Sequence, residues 1–464
     1  MKQFLILISF LFVYYSTAGI EQAPPNFKVR DKQAVFVDFR RAQYNITFDV
    51  QNHRALVETK ILFEQKQKGY PLFDLVNRPL SVTIHDKEVE VSLIKTPGDA
   101  SKLRMIEKEL PKGIHQVIIH SEIENGTRFS TNDRKPDWGN VSSGFFIRDL
   151  RDRMFLEKYL PTNYEYDQYR MEIDVKVTGT KRWHSLFTNG EKTKVSENHY
   201  RVRYPDFYTA SSLYFHLVPI NRFVRYYLTY PSIDGRDIPV TIYSNYRFYN
   251  YLAKKKAWKV MRELEADYGA YPHDQLIIYG TGLRGGMEHA GATETSIVSL
   301  GHELFHFYFA KGVHPANGNS GWLDEALASW RDKGYQTVDL PFYDSANLAA
   351  HNLYTRKTDK RSYEYGRSFM GYLDKQLKEI GKPGLKDFLR VFFAKRKLTT
   401  VTTEDFKSDL EEYAQMSFQA DFFQYIYGGH MPPESGHKHV DHDHGGEENP
   451  HHPARTEAEM LSIL

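Results

Sequence analysis

The chain has 464 residues, 41% apolar and 26% charged, the balance of a globular protein with room for about two or three domains. A net charge of +2 leaves no broad basic field and excludes nucleic acid as an expected partner. There is no cysteine, so disulfides and thiolate metal sites are excluded and stability must come from the core.

Residues 1–18 have the form of a secretory signal: Lys2, the apolar run Phe4 to Tyr15, then Ser16-Thr17-Ala18 as a small-residue cleavage site. That run is too short to span a bilayer comfortably, and no later stretch is longer or more apolar. An exported protein, periplasmic or extracellular and without stable membrane insertion, is expected. From about Gln33 to Val218, short β-type runs alternate with turns, among them Tyr44 to Phe48, Val82 to Ile84, Gln116 to Ile119 and Met171 to Val175. Asn189-Gly190, two residues that tolerate positive φ, predicts a tight hairpin turn. Helical periods begin with the amphipathic stretch Tyr249 to Leu264. A strand, Leu276 to Tyr279, follows, and helices dominate from Ile297 to about Tyr427. The change of pattern near Pro219 to Tyr227 divides the chain into a β domain, 19–225, and a mainly helical domain, 226–429. The segment 430–464 carries Pro432, Pro433, His437, His439, His442, His444, His451 and His452 among acids and glycines; it cannot build a core and reads as a disordered tail. Its histidines either capture additional zinc or are incidental.

The chemistry lies in HELFH, His302 to His306, and in Glu325 of WLDEA, reached after eighteen further residues. Two histidines four apart on a helix differ by about 40° and roughly 6 Å, so both rings can converge on one ion. Imidazole suits zinc, and a catalytic site takes three protein ligands with a position left for water. Glu325 is the natural third ligand, because a second predicted helix, Ser320 to Tyr335, carries it back beside the first. Glu303, next to His302, is placed to act as general base rather than ligand. The competing reading is a buried core helix, which Leu304, Phe305, Phe307 and Phe309 would suit. That reading leaves a buried, unliganded His-Glu-His trio, which is costly.

Four strings now stand in order: Gly285-Gly286-Met287-Glu288-His289, HELFH, Trp322-Leu323-Asp324-Glu325-Ala326 and Ser362-Tyr363-Glu364-Tyr365-Gly366. Their order and spacing resemble the aminopeptidase N-like gluzincins, which carry Gly-Ala-Met-Glu-Asn, the zinc helix, Trp-Leu-Asn-Glu-Gly and Tyr-Glu-Lys-Gly. Phe73-Asp74-Leu75, the run Pro161 to Asp167 and Thr188-Asn189-Gly190 resemble that family's N-terminal domain, so the resemblance covers about residues 30 to 428. It implies an α+β multi-domain fold: an antiparallel β saddle followed by a thermolysin-like, mainly helical catalytic domain. It also implies a zinc-dependent aminopeptidase that hydrolyses the N-terminal bond of peptides with one catalytic Zn2+ held by His302, His306 and Glu325.

By the same resemblance Glu288 holds the substrate's α-amine, a role suited to a carboxylate facing a desolvated cation. Gly285, Gly286 and Met287 complete the substrate-binding loop, and Tyr363 hydrogen-bonds the oxyanion, with Tyr354 and Tyr365 as neighbouring tyrosines. Asp152, nine residues before Pro161, matches by spacing a second amine-binding acid. The chain departs from the pattern at His289, which replaces asparagine as in the related glycyl aminopeptidases, and at Asp324, also in place of asparagine. It reaches its tail soon after Tyr427 without the family's large helical C-terminal domain, so a more open cleft is expected. Two further readings are a zinc endopeptidase with that open cleft and a non-catalytic exported zinc-binding protein. Glu303 and Tyr363 speak against the latter, since neither is needed to store metal.

Overall fold

The structure, a computed structural model, describes residues 23–98, 102–132, 134–147, 155–164, 167–282 and 285–430. The signal-like residues 1–18, Asp152 and the histidine tract from His437 to His452 lie outside the described residues.

Two twelve-residue strands, Asp38–Asp49 and Arg54–Gln65, pair antiparallel at the centre of an eight-stranded sheet. Burial alternates along them, with Tyr44, Ile46 and Phe48 facing the core, as a sheet with one buried face requires. The sheet is mixed where an antiparallel one was expected, because Asp38–Asp49 also pairs in parallel with Arg170–Thr178. The long intervening chain makes that possible, since parallel partners need a crossover rather than a hairpin. A four-stranded sheet, ordered Thr127–Ser130, Asn140–Gly144, Phe215–Pro219, His184–Thr188, shares its core through contacts such as the stacked rings of Phe145 and Phe215 at 4.2 Å. A smaller five-stranded sheet contains Phe27–Val29 and Tyr70–Phe73.

A further five-stranded sheet is ordered Val224–Pro231, Asp237–Ser244, Leu276–Gly282, Ala292–Ser296, Gly286–His289. Against it pack the helices α1 (Arg247–Tyr268), α2 (Leu300–His306), α3 (Trp322–Asp332), α4 (Tyr365–Glu379), α5 (Leu385–Arg396), α6 (Thr403–Ala414) and α7 (Gln419–Tyr425). In α1, Ala253, Ala257, Val260, Met261 and Leu264 recur at helical spacing and are buried. They join one core cluster running from Tyr230 to Tyr427, whose largest members include Trp322 and Trp330. The result is a multi-domain α+β fold. No helix among the described residues is long and apolar enough to cross a membrane.

Asn189-Gly190 does not form the predicted hairpin turn. Thr188 and Glu191 end and begin strands that pair with other partners, and neither Asn189 nor Gly190 has a positive φ. Asn189 is instead a buried staple. Its Nδ2 donates to Ser212 O and Ala290 O, each at 2.7 Å, while its Oδ1 accepts from Tyr214 N. Gly190 is required by space, since a Cβ there would meet Val202 Cγ1 at 2.5 Å.

A second anchor is ionic. Arg356 pairs with Asp74, lies 3.8 Å from Glu157, and covers the Tyr164 ring at 4.9 Å, with all three charged side chains buried. The Tyr164 hydroxyl donates to Tyr354 O, which ties the 354–356 segment to the N-terminal sheets. Removing one partner leaves the other charge buried and uncompensated. Asp74→Ala is expected to lower stability by about 3–5 kcal/mol, measured by chemical denaturation; a loss under about 1 kcal/mol would class the pair with surface ion pairs.

Candidate metal centre and cleft

The α2 helix stops at His306, so His302 and His306 stand one turn apart on one side, His302 partly exposed and His306 buried, while Leu300, Leu304 and Phe305 are fully buried. The two rings have centroids 4.6 Å apart and are nearly perpendicular, at 84°. α3 brings Glu325 up in its first turn, where the positive end of the helix dipole favours a carboxylate. Glu325 Oε2 lies 3.1 Å from His302 Nε2 and 3.7 Å from His306 Nε2. Tetrahedral ligands with zinc bonds of about 2.0–2.1 Å stand about 3.3 Å from one another. The observed separations bracket that value, and the donor set is two imidazoles and one carboxylate, so these residues fit a zinc ion.

The electrostatics point the same way. Burial works against a charged His302, but hydrogen bonding to Asp332 and Glu325 outweighs it and raises the imidazole to about 11. Burial likewise opposes ionised Glu325, and the His302 contact and the nearby His306 nevertheless hold it below the usual carboxylate range. His306 is depressed, chiefly by burial. The trio is therefore stable with a cation at its centre, whether a proton or a metal ion. Asp332 Oδ2, 2.8 Å from His302 Nδ1, fixes the ring from behind.

Glu303 is 4% exposed and does not join the ligand set. Its carboxylate rests against Gly286, where a Cβ would come within 2.3 Å of Oε1. Gly285 adopts a φ of +78°, a conformation glycine takes freely. The pair lets the edge strand Gly286–His289 lie over Glu303. Met287 is buried in the core shared with the N-terminal sheets, so its side chain packs rather than lines the cleft. His289 is fully buried, donates from Nδ1 to Leu213 O at 2.9 Å, and is pushed down to about 3 by burial first and by Lys311 second. It is a neutral core residue.

Glu288 faces inward from the same strand, 4% exposed, and Lys311 Nζ lies 3.5 Å from its Oε1. Glu288, His306 and Asp324 also have ligand atoms within 4.8 Å of one another. Tyr363 follows the short turn Lys360–Ser362, donates its hydroxyl proton to Glu325 Oε1, and stacks on His302 at 6.2 Å. The neighbouring tyrosines are engaged elsewhere: Tyr354 donates to Pro25 O and Tyr365 stacks on Tyr343 at 4.3 Å. The geometry thus gathers His302, His306, Glu325, Glu303, Tyr363, Gly286 and Glu288.

Sequence reasoning missed Asp332, Lys311 and Asn189. Asp332 was accessible, because it lies seven residues after Glu325 and so on the same helix face. Lys311 is the one charge in the apolar run Phe307 to Val313, a weaker signal.

No family model and no curated protein matches this sequence. Solved structures do match the fold. An M1 zinc metallopeptidase from Deinococcus radiodurans is 17% identical, over 87% of this chain and 96% of that one, with a TM-score of 0.59. The fold is that of the M1 zinc metallopeptidases. Yeast LTA4 hydrolase in complex with bestatin matches at 14% identity, 89% of this chain, 72% of that one and a TM-score of 0.59. Legionella pneumophila aminopeptidase A in complex with aspartic acid matches at 14%, 86% and 50%, again at 0.59.

Because the proton on His302 is held up to about pH 11, zinc has to displace it at lower pH. Zinc uptake at pH 8 is expected to release about one proton per ion, read by calorimetry in two buffers of different ionisation enthalpy. No proton release would mean that the ion does not sit on His302.

Proposed function

We propose that the chain is a zinc-dependent aminopeptidase that hydrolyses the N-terminal bond of peptides. The observation that carries this reading is the convergence of His302, His306 and Glu325, with Tyr363 on Glu325 and Glu303 beside Gly286. His302, His306 and Glu325 would hold the ion, and zinc bound there would polarise a carbonyl and make water acidic. Glu303, within the cleft and outside the ligand set, takes the proton of the attacking water and passes it to the leaving nitrogen. A carboxylate can do both, since it becomes the acid once it has acted as base.

Tyr363 supplies a neutral phenol donor. In the resting arrangement its proton rests on Glu325, and turning it toward the substrate aims it at charge that develops only in the transition state. The backbone of Gly285 and Gly286 provides an edge along which an extended peptide can lie. Glu288 is the carboxylate for the substrate's α-ammonium. The choice of peptides draws support from the Deinococcus relative of the fold, a mutant of which was solved with a Tyr-Ser-Ala substrate.

Glu303→Gln should lower hydrolysis of aminoacyl-amide substrates by about 10²–10⁴-fold while zinc content stays at one ion. Tyr363→Phe should lower kcat by about 10²–10³-fold with little change in KM. Activity retained by the Glu303→Gln protein, or unaffected by chelator in the wild type, would sink the assignment.

A further inference from the structure

Lys311 lies five residues beyond His306 and is only 5% exposed, a position in which lysine is rare without an anion. Its Nζ is 3.5 Å from Glu288 Oε1 and donates to Ser211 Oγ at 3.2 Å. Ser211 belongs to the turn Thr209 to Ser212, where Ser212 O accepts from Ala290 N, so the turn is tied to the strand that carries Glu288. Lys311 is therefore fixed from both sides rather than free to swing. The neighbouring His289 and His314 are both held neutral, by burial foremost and by the Lys311 charge, and add no competing cation. Glu288 and Lys311 are each 6% exposed in their side chains, so their attraction is little screened by solvent.

The carboxylate assigned to the peptide's ammonium thus already faces an ammonium of the chain itself. An internal partner needs no association step, whereas a peptide N-terminus loses freedom on binding. We propose that Lys311 is a specificity-determining residue: as the built-in counter-ion of Glu288 it removes the requirement for a free N-terminal ammonium, so that peptides with neutral, blocked N-termini are also hydrolysed. Asp324 brings a second carboxylate within 4.8 Å of Glu288, which keeps a free ammonium acceptable as well. The inference rests on the zinc-peptidase reading and on the role given there to Glu288.

The test uses the zinc-loaded full chain and one internally quenched fluorogenic peptide in two forms, with a free and with an acetylated N-terminus. In the wild type the two kcat/KM values should agree within about tenfold, the worth of a single charge-assisted hydrogen bond. Lys311→Met should raise the free-to-acetylated ratio by at least about tenfold, mainly through KM, because Glu288 is then left to seek the peptide's charge. Lys311→Arg keeps the charge and should leave the ratio near the wild-type value. An acetylated peptide that is inert to the wild type, or a ratio unchanged in Lys311→Met, overturns the inference while zinc-dependent turnover of the free peptide keeps the peptidase reading intact. Failure of the zinc-loaded wild type to cleave either form overturns both. Should Lys311→Met not fold, the wild-type ratio alone decides.

Discussion

The arrangement depends on one constraint: Glu325 is a carboxylate buried to 4% exposure between two imidazoles. Such a group is unfavourable unless positive charge meets it at contact distance. Three sources converge on it, namely the first turn of α3, the His302 and His306 rings of α2, and the Tyr363 hydroxyl. Each holds only while α2 and α3 stay side by side. The core supplies that restraint, with Trp322, Leu323, Ala326 and Leu327 of α3 and Leu300, Leu304 and Phe305 of α2 in one apolar cluster. Arg331 adds a direct tie, donating from Nη1 to Gly301 O at 3.2 Å.

The N-terminal sheets act on the centre from two sides, and none of their described residues joins the His302, His306 and Glu325 group. Asn189 fixes the turn at Ala290, directly after the Gly286–His289 strand, and so sets how closely that strand lies over Glu303. Asp74 and Glu157 fix Arg356, at the start of the segment that leads to Tyr363. The first anchor positions Glu303 and Glu288; the second positions Tyr363. Both are buried polar contacts, which specify geometry more than they add net stability, because their desolvation offsets much of the attraction. A large apolar interface alone would hold the sheets against the helices but would tolerate sliding.

Elements with strong local patterns were legible in the sequence. The strands around Tyr44, Val82, Gln116 and Met171, the helix from Tyr249 and the strand at Leu276 all show the periodicity that burial on one face imposes. The convergence of His302 and His306 was legible for the same reason, since a helix turns spacing into direction. What was not legible is non-local. The parallel pairing of Arg170–Thr178 with Asp38–Asp49 joins strands more than a hundred residues apart, and no local signal encodes it. Asn189-Gly190 carried a strong short-range turn signal, yet tertiary contacts took Asn189 for a staple and left the turn to others. His289 looked like a change in the amine pocket and is a core residue. The sequence neighbour of a functional residue on a strand points to the opposite face, so proximity in the motif said nothing about proximity in the cleft.

Lys311 answers a problem that the centre creates for itself. Glu288, Glu303, Asp324 and Glu325 come from three separate elements into one cleft. Carboxylates crowded in this way repel one another unless cations lie among them. Zinc held by His302, His306 and Glu325 would compensate the charge of the one acid among them. A lysine anchored on Ser211 and paired with Glu288 lowers the negative field at the far side of the cleft without approaching the reacting atoms. The same cation that quiets the field also competes for the group expected to read the peptide's N-terminus. Pairing with Lys311 and holding a peptide's ammonium would therefore pull on the Glu288 carboxylate in opposite directions.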